Sequence, residues 1–237
     1  GCLCSRYKLL LVMKHYWLCF VLFCVIQLNG QTTINTLLKD FSELKVYSGI
    51  DIKLIPSDEH KVVISGEKAN KVKLKYEGST LKILLRFPET LAEGKATIAL
   101  YFNKPIITID ANEGAMITSD VLSQESLELR AQEGAYINVV VDTKMLKIKG
   151  SSSGVFEVTG STDNQDIYLD LGANYHGYKV DVKQLCQLNV GSGAKAEVTS
   201  GHILEAKVNF GGTILYKGTP NVLTTKKVIG GTIEQRD

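Results

Sequence analysis

The sequence predicts an all-β protein, a parallel β-helix-like solenoid with coils of about twenty residues. The first observation is a glycine followed by a small residue that returns at spacings of 20, 20, 18, 21 and 19 residues. The glycines of these pairs are Gly114, Gly134, Gly154, Gly172, Gly193 and Gly212. A regular period of this length is typical of stacked repeats, in which each coil contacts only its neighbours.

The second observation is that apolar and polar residues alternate on both sides of each glycine. The runs 127–129 and 136–139 are examples, and such runs are too short and too rich in β-branched residues for helices. Period-two alternation turns one side of a strand to the interior and the other to water. The alternative is a meander of hairpins with glycine turns, but the repeat contains no Asn-Gly hairpin signal.

The repeat glycines are predicted to form the corners of the coils. A coil must turn sharply, and glycine reaches positive φ without steric cost. The small residue that follows lets successive coils approach closely. Because each corner lies on the corner of the coil before it, we expect the same structural position for all six glycines.

Residues 1–30 are predicted to be a leader. Residues 13–30 combine Lys14 and His15, an apolar core over 16–26 and a small Gly30, which is the pattern of a secretory signal peptide. The apolar core is too short to span a bilayer as a helix. A membrane anchor or a buried strand is the alternative interpretation. Residues 1–12 precede Met13 and are interpreted as the product of a start site assigned too early.

Cysteine usage agrees with export. Cys2, Cys4, Cys19 and Cys24 lie in the leader region, and Cys186 alone remains after it. A lipid attachment at Cys24 is the alternative reading, although the bulky Phe23 before it disfavours such a site. Cys186 lies level with Leu127 in its coil and is predicted to be a small buried apolar residue. A single cysteine predicts no internal disulfide and no metal or redox motif.

Residues 31–43 are predicted to form an N-terminal cap segment. Leu37, Leu38 and Phe41 lie at helical spacing, so a short capping helix is expected over 34–41. Residues 44–102 contain less regular strands, which form either irregular coils or a small sheet against the first coil. The stretch 87–94 is predicted to be a surface loop, and the tail after Pro220 is expected to close the far end.

No serine- or glycine-rich linker divides residues 44–237, which are therefore predicted to form a single β-solenoid domain. Without residues 1–30 the chain has 27 − 3 = 24 basic and 25 acidic residues, and it lacks a basic cluster with interleaved aromatic residues. Nucleic-acid binding is therefore not expected. No membrane-spanning segment is predicted after the leader, and no cofactor or metal is predicted.

One surface feature suggests a ligand site. Three tyrosines, an asparagine and a histidine fall within eleven residues beside a repeat corner. They are Tyr168, Asn174, Tyr175, His176 and Tyr178. Such a group can form an aromatic platform that stacks on sugar rings and bonds their hydroxyls. The alternatives are that some of these tyrosines cover the core, or that Tyr136 and Tyr216 extend them into a tyrosine ladder.

Catalytic motifs are sparse by comparison. Polysaccharide lyases with a β-helix fold use clustered aspartates and a basic residue, and here Asp110 and Arg130 fall in successive coils about one residue out of step. A surface ion pair is the other explanation of these two residues. Motifs for serine hydrolases, phosphate loops and zinc sites are absent from the sequence.

The chain resembles the putative auto-transporter adhesin "head GIN" domain family over residues 41–235. The resemblance is carried by an ordered set of residues at the start and the end of the domain: Phe41, Leu44, Lys45, Val46, Ser48, Gly49, Ile50, Asp51, Ile52, Tyr216, Gly218, Pro220, Gly230, Gly231 and Ile233. The resemblance implies a right-handed β-helix-like fold and export, mainly in Bacteroidetes, and it supplies no catalytic residues.

Together these observations predict an exported, non-catalytic protein of the periplasm, outer membrane or cell exterior. Its expected partner is a polysaccharide or another cell-surface ligand. The alternatives are a lyase-like carbohydrate-active enzyme and a purely structural component of the envelope.

Overall fold

The protein is a parallel β-solenoid of about seven turns. The computed structural model describes residues 33–91 and 93–237. In these residues seventeen strands hydrogen-bond into one sheet system. They are β1 (Ile34–Leu37), β2 (Glu43–Val46), β3 (Asp51–Pro56), β4 (Lys61–Ser65), β5 (Val72–Glu77), β6 (Thr80–Leu85), β7 (Thr97–Phe102), β8 (Thr108–Ala111), β9 (Met116–Ala131), β10 (Tyr136–Gly150), β11 (Val155–Leu169), β12 (Asn174–Val190), β13 (Lys195–Thr199), β14 (Ile203–Val208), β15 (Thr213–Lys217), β16 (Val222–Lys227) and β17 (Thr232–Gln235). Short 3-10 helices cover Ala69–Lys71 and Glu89–Leu91.

Two sheets of the solenoid matter for the site, and they meet at the glycine corner. Face A comprises the strand segments before each corner: 43–46, 108–111, 127–131, 146–150, 165–169, 185–190, 203–208 and 222–227. Face B comprises the segments after it: 51–56, 116–119, 136–139, 155–158, 174–177, 195–199, 213–217 and 232–235. Successive coils pair in parallel on both faces, which confirms the predicted solenoid and excludes the hairpin meander for the repeat.

Each corner is a tight turn with two consecutive residues at positive φ. In one coil these are Glu133 (φ 56°) and Gly134 (φ 71°). The Ala135 amide closes the turn by donating to the Gln132 carbonyl oxygen at 3.1 Å. Two positive φ angles in succession define a type I′ turn, which few side chains adopt without strain. The corner therefore explains why glycine recurs at this point.

The prediction that all six repeat glycines share one position is wrong for two of them. Gly114, Gly134, Gly172 and Gly193 occupy the left-handed position, whereas Ser153 and Gly211 hold it in the other two coils. Gly154 and Gly212 come one residue later and lie in register with the alanines that follow the other glycines. The backbone hydrogen bonds show this register: the Val155 amide donates to the Ala135 carbonyl, and the Thr213 amide donates to the Ala194 carbonyl. A Cβ at Gly154 would collide with the Ala131 carbonyl group, so close approach is the reason for glycine there.

The capping helix predicted over 34–41 is also wrong, because this segment begins with strand β1. Strand β1 pairs antiparallel with β4, with Ile34 opposite Ile64. Leu37 is 83% exposed, whereas Phe41 is buried and stacks on the His60 ring. The open edge of β4 stabilises an added strand through backbone hydrogen bonds. A short helix without packing partners is only marginally stable in water, so the strand forms instead.

Residues 44–102 combine both arrangements that the sequence left open. Strands β6 and β7 pair in parallel with β2 and β3, so they add one coil before the repeat. Strands β5 and β4 pair antiparallel with β6 and β7 and cover the edge of that coil. The stretch 87–94 lies at the surface, as expected, with Phe87 exposed and Lys71 bonded to Glu89 at 2.8 Å.

The tail after Pro220 does not close the far end. It forms β16 and β17, which extend faces A and B by one more parallel coil. Every residue of β16 is exposed. The leader predicted over residues 1–30, including the lipidation alternative at Cys24, lies outside the described residues. Among residues 33–91 and 93–237, no helix has the length and apolar character needed to cross a membrane.

A hydrogen-bonded polar group lies among the apolar columns of the core, around Gln165. Cys186 is buried level with Leu127, as predicted, in a column that also contains Leu146, Gln165 and Leu204. The Gln165 side-chain amide donates to the Tyr175 hydroxyl. The Cys186 thiol donates to the Gln165 side-chain oxygen at 3.7 Å. Burial raises the pKa of Cys186 to about 12, which keeps the thiol protonated.

We predict that Tyr175→Phe lowers the free energy of unfolding by about 1–3 kcal/mol, because it leaves the buried Gln165 amide without its acceptor. Adding Gln165→Leu is expected to restore most of this loss, since both partners are then apolar and Leu146 and Leu204 already occupy the column. Denaturant unfolding of the two single variants and the double variant measures the coupling. Additive losses in the double variant would contradict the assignment.

The two kinds of corner glycine are expected to respond differently to alanine. Gly134→Ala strains only the backbone, since a Cβ there meets open space, and should cost about 1–2 kcal/mol of unfolding free energy. Gly154→Ala forces the Ala131 carbonyl to move and should cost more, through overpacking. Thermal or denaturant unfolding compares them, and an equal or smaller loss for Gly154→Ala would contradict the close-approach explanation.

Candidate functional site: a groove on face A

The predicted tyrosine platform is divided among two faces and the core. Tyr168 lies on face A, before the Gly172 corner, and is 48% exposed. Tyr175 is fully buried, so its placement on a surface platform is wrong. Alternation explains the result, because Asn174 and His176 on either side of it point outward from face B. Gly177 makes room for the buried ring, since a Cβ there would collide with it.

The remaining platform residues are held by neighbours on face B. The Asn174 amide donates to the Gly172 carbonyl at 2.9 Å, and His176 Nδ1 lies 2.8 Å from a Glu197 oxygen. A bulge in β12 lets Tyr178 face outward, where the Lys217 ammonium lies 5.2 Å from the centre of its ring.

The tyrosine ladder weighed as an alternative is not formed. Tyr216 points into the core, whereas Tyr136 faces outward from face B. The chain therefore gathers only Asn174, His176 and Tyr178 of the predicted residues on face B, and it leaves Tyr168 as the single predicted member on face A.

Tyr168 lines a groove that crosses face A over five successive coils. Its volume is about 590 Å³, and strands β10, β11, β12, β14 and β16 supply its walls. Two rows of outward side chains line it. The column row contains Lys149, Tyr168, Asn189, Lys207 and Lys226, and the acceptor row contains Asp166, Gln187 and Glu205. Residues of one row are register partners in adjacent coils, so their spacing along the solenoid is about 4.8 Å.

A smaller cavity of about 160 Å³ adjoins the groove on its corner side. Tyr168 and Asn189 line both cavities, and Phe210, which is 62% exposed, lines the smaller one. Asn209 donates to the Asn189 amide oxygen at 2.9 Å and so fixes the orientation of that amide. Two exposed aromatic rings and an oriented amide therefore border one continuous depression.

The same column continues toward the N-terminus as an ion-pair network. Glu128 binds Arg130 and Lys149, each at 2.8 Å, and Lys45 lies 3.2 Å from Glu43. Burial opposes ionisation of Glu128, but the hydrogen bonds from Arg130 and Lys149 outweigh burial and lower its pKa. The cations in this part of face A are therefore engaged with acidic side chains of the protein itself.

The network accounts for the two residues that suggested a lyase. Asp110 and Arg130 are register partners, so the expected offset of one residue is not present. Burial raises the pKa of Asp110, against the opposing effects of Lys45 at 3.6 Å and of a 3.0 Å hydrogen bond from Asn112. Asp110 thus belongs to a buried structural network rather than to an open catalytic cleft.

Metal binding finds no support in the described part of the chain. Within residues 33–91 and 93–237, no three histidine, cysteine, aspartate or glutamate side chains converge as a metal site. The chemistry that the groove offers is therefore aromatic stacking, amide hydrogen bonding and charge pairing.

Most of the column row is not recognisable from the sequence. Lys149, Asn189, Lys207 and Lys226 are ordinary surface residues in a linear reading, and only their alignment one coil apart brings them together. The available signal was an outward position that recurs with the repeat period, which requires the correct phase of each coil. That phase was misassigned at Gly154 and Gly212.

Solved structures of similar fold include proteins from Bacteroides and Parabacteroides species. The crystal structure of a putative adhesin from Bacteroides fragilis NCTC 9343 has a TM-score of 0.73 at 14% identity, covering 88% of this chain and 98% of that one. A putative lipid binding protein from Parabacteroides distasonis ATCC 8503 scores 0.65 at 16% identity, and a putative adhesin from Parabacteroides merdae ATCC 43184 scores 0.64 at 17%, each over 88% of this chain and 98% of its own. These likenesses establish the fold.

A search of curated proteins finds no match. The family model described as "Putative auto-transporter adhesin, head GIN domain" matches residues 40–220, which is most of the chain. The predicted resemblance over residues 41–235 is thereby confirmed at the level of the family. The chain belongs to the putative auto-transporter adhesin, head GIN domain family.

Proposed function

We propose that this protein is an exported, non-catalytic adhesin that recognises polysaccharide in the groove on face A. The observation that carries the proposal is the juxtaposition of exposed Tyr168 with the oriented amide of Asn189 in a groove that spans five coils. An aromatic ring binds the apolar face of a sugar, while amides and carboxylates bond its hydroxyls. An open groove along a solenoid suits a polymer better than a small molecule.

Export supports the same function. The pattern over residues 13–30 is that of a secretory signal peptide, and a single buried cysteine in residues 31–237 is compatible with an oxidising compartment. The adhesin family to which the chain belongs provides the context of a cell-surface ligand. Seven of the twelve residues that line the groove are charged or carry a side-chain amide, which suits a polysaccharide better than the apolar chain of a lipid.

A carbohydrate-active enzyme is the second candidate, and one observation favours it. Asp166 and Glu205 both face the groove, two coils apart, with Gln187 between them. A glycosidase needs two carboxyl groups across the bond, one of them kept protonated by an apolar environment. Both side chains are exposed to solvent, so the groove favours binding over hydrolysis. Release of reducing ends that Glu205→Gln abolishes would instead establish the enzyme.

We expect Tyr168→Ala to weaken binding to a polysaccharide about tenfold, because it removes the stacking surface in the groove. Tyr178→Ala is the matched control, since it removes a partly exposed tyrosine from face B. A polysaccharide pull-down panel followed by titration of the bound polymer measures both variants, with unfolding temperature as the check on folding. An equal loss in both variants, or none in Tyr168→Ala, would contradict the assignment of the groove.

A further inference from the structure

The cations of the column row differ in their partners. Lys149 is paired with Glu128, whereas Lys207 and Lys226 line the groove and form no ion pair with any residue in 33–91 or 93–237. They lie in adjacent coils as register partners, and Lys207 follows Asn189 in the same row. The C-terminal half of the groove therefore presents two unpaired ammonium groups beside Tyr168 and Asn189.

The groove is also polarised across its width. The acceptor row lies two residues before the column row in each strand, on the same outward side, so Asp166 accompanies Tyr168 and Glu205 accompanies Lys207. One edge of the groove is basic, and the other carries carboxylate and amide acceptors. A ligand that fits this arrangement places an anionic group at the lysine edge and hydroxyl groups at the other edge.

The spacing of the rows selects among anionic polymers. Adjacent coils are about 4.8 Å apart, which is close to the length of one pyranose ring in a polysaccharide chain. A chain that runs along the solenoid axis thus places one sugar on each coil. One of its carboxylates would lie between Lys207 and Lys226, and its hydroxyls would face the acceptor row. A nucleic acid or a heavily sulfated chain carries a higher charge density and would bring more anionic groups against Asp166 and Glu205.

We propose that the groove binds a uronic-acid polysaccharide aligned with the solenoid axis, with a carboxylate held between Lys207 and Lys226 and one ring on Tyr168. This assignment rests on the proposed function and adds the ligand class and its orientation. Lys207 and Lys226 are specificity-determining residues, whereas Tyr168 serves acidic and neutral sugars alike.

The test compares oligogalacturonate with its carboxyl-reduced form by calorimetric titration of the purified protein. Lys207→Gln together with Lys226→Gln is expected to weaken binding of oligogalacturonate about tenfold and to flatten its salt dependence, because two exposed charge contacts are lost. Binding of the carboxyl-reduced oligomer should not change. Lys73→Gln together with Lys179→Gln, which removes two exposed lysines outside the groove, is the charge-matched control.

The possible outcomes distinguish the uronic-acid assignment from the proposed function of polysaccharide binding. Equal affinity for the acidic and reduced oligomers, or no effect of the double variant, overturns the uronic-acid assignment and leaves polysaccharide binding intact. Absence of binding to both oligomers and to every polymer of the panel overturns the proposed function. Duplex DNA that binds as tightly as oligogalacturonate and depends on the same lysines overturns the assignment in favour of unspecific polyanion binding.

A gain of affinity provides an independent check. Glu128→Gln removes the carboxylate that holds Lys149, so a third ammonium group becomes available at the edge of the groove. We expect affinity for oligogalacturonate to rise about threefold, with no change for the carboxyl-reduced oligomer. Titration at two salt concentrations measures the effect. Unchanged or weaker binding in a variant that retains its fold contradicts the role of the column row.

Discussion

The parallel register between coils is the constraint on which the rest of the structure depends. Two features fix it: the backbone hydrogen bonds between successive strands, and the two left-handed residues at each corner. Because side chains alternate with period two, a slip of one residue would turn every apolar column outward. The corner thus determines which residues form the core and which form the surface rows.

The site follows from the same constraint. Register converts residues that are 18 to 21 positions apart in sequence into neighbours about one strand spacing apart, as in the pairs Tyr168–Asn189 and Asn189–Lys207. A solenoid has no enclosed cleft, so its recognition surface is a row of side chains rather than a pocket. The N-terminal half of the column is used to stabilise the fold through Glu128 and Asp110, whereas the cations of the C-terminal half form no ion pair within the described residues. The same register therefore serves stability at one end and the proposed recognition at the other.

The sequence was sufficient for the fold class, the approximate period and the burial of Cys186, because those depend on local alternation and on corner glycines. It was insufficient for the phase of individual coils. Gly154 and Gly212 match the repeat spacing, yet both follow the left-handed residue of the corner, and a Cβ there would collide with the carbonyl group of Ala131 or Val190. Phase decides which way a side chain points, so Tyr175 was placed on the surface although Gly177 makes an interior space for it. Likewise, β1 forms because β4 has an open edge, which is tertiary information that helical spacing over 34–41 does not contain.

Register in the groove can be measured directly with pairs of engineered cysteines. The account predicts that Asn189→Cys with Lys207→Cys oxidises to a disulfide, because register partners lie within the Cα separation of about 4.4–6.8 Å that a disulfide spans. Asn189→Cys with Glu205→Cys should remain reduced, since a displacement of two residues along the strand places the Cα atoms more than about 7 Å apart. Peptide mapping by mass spectrometry identifies the linked residues, and the buried thiol of Cys186 does not compete. A disulfide in the second pair but not in the first would contradict the register, and with it the groove.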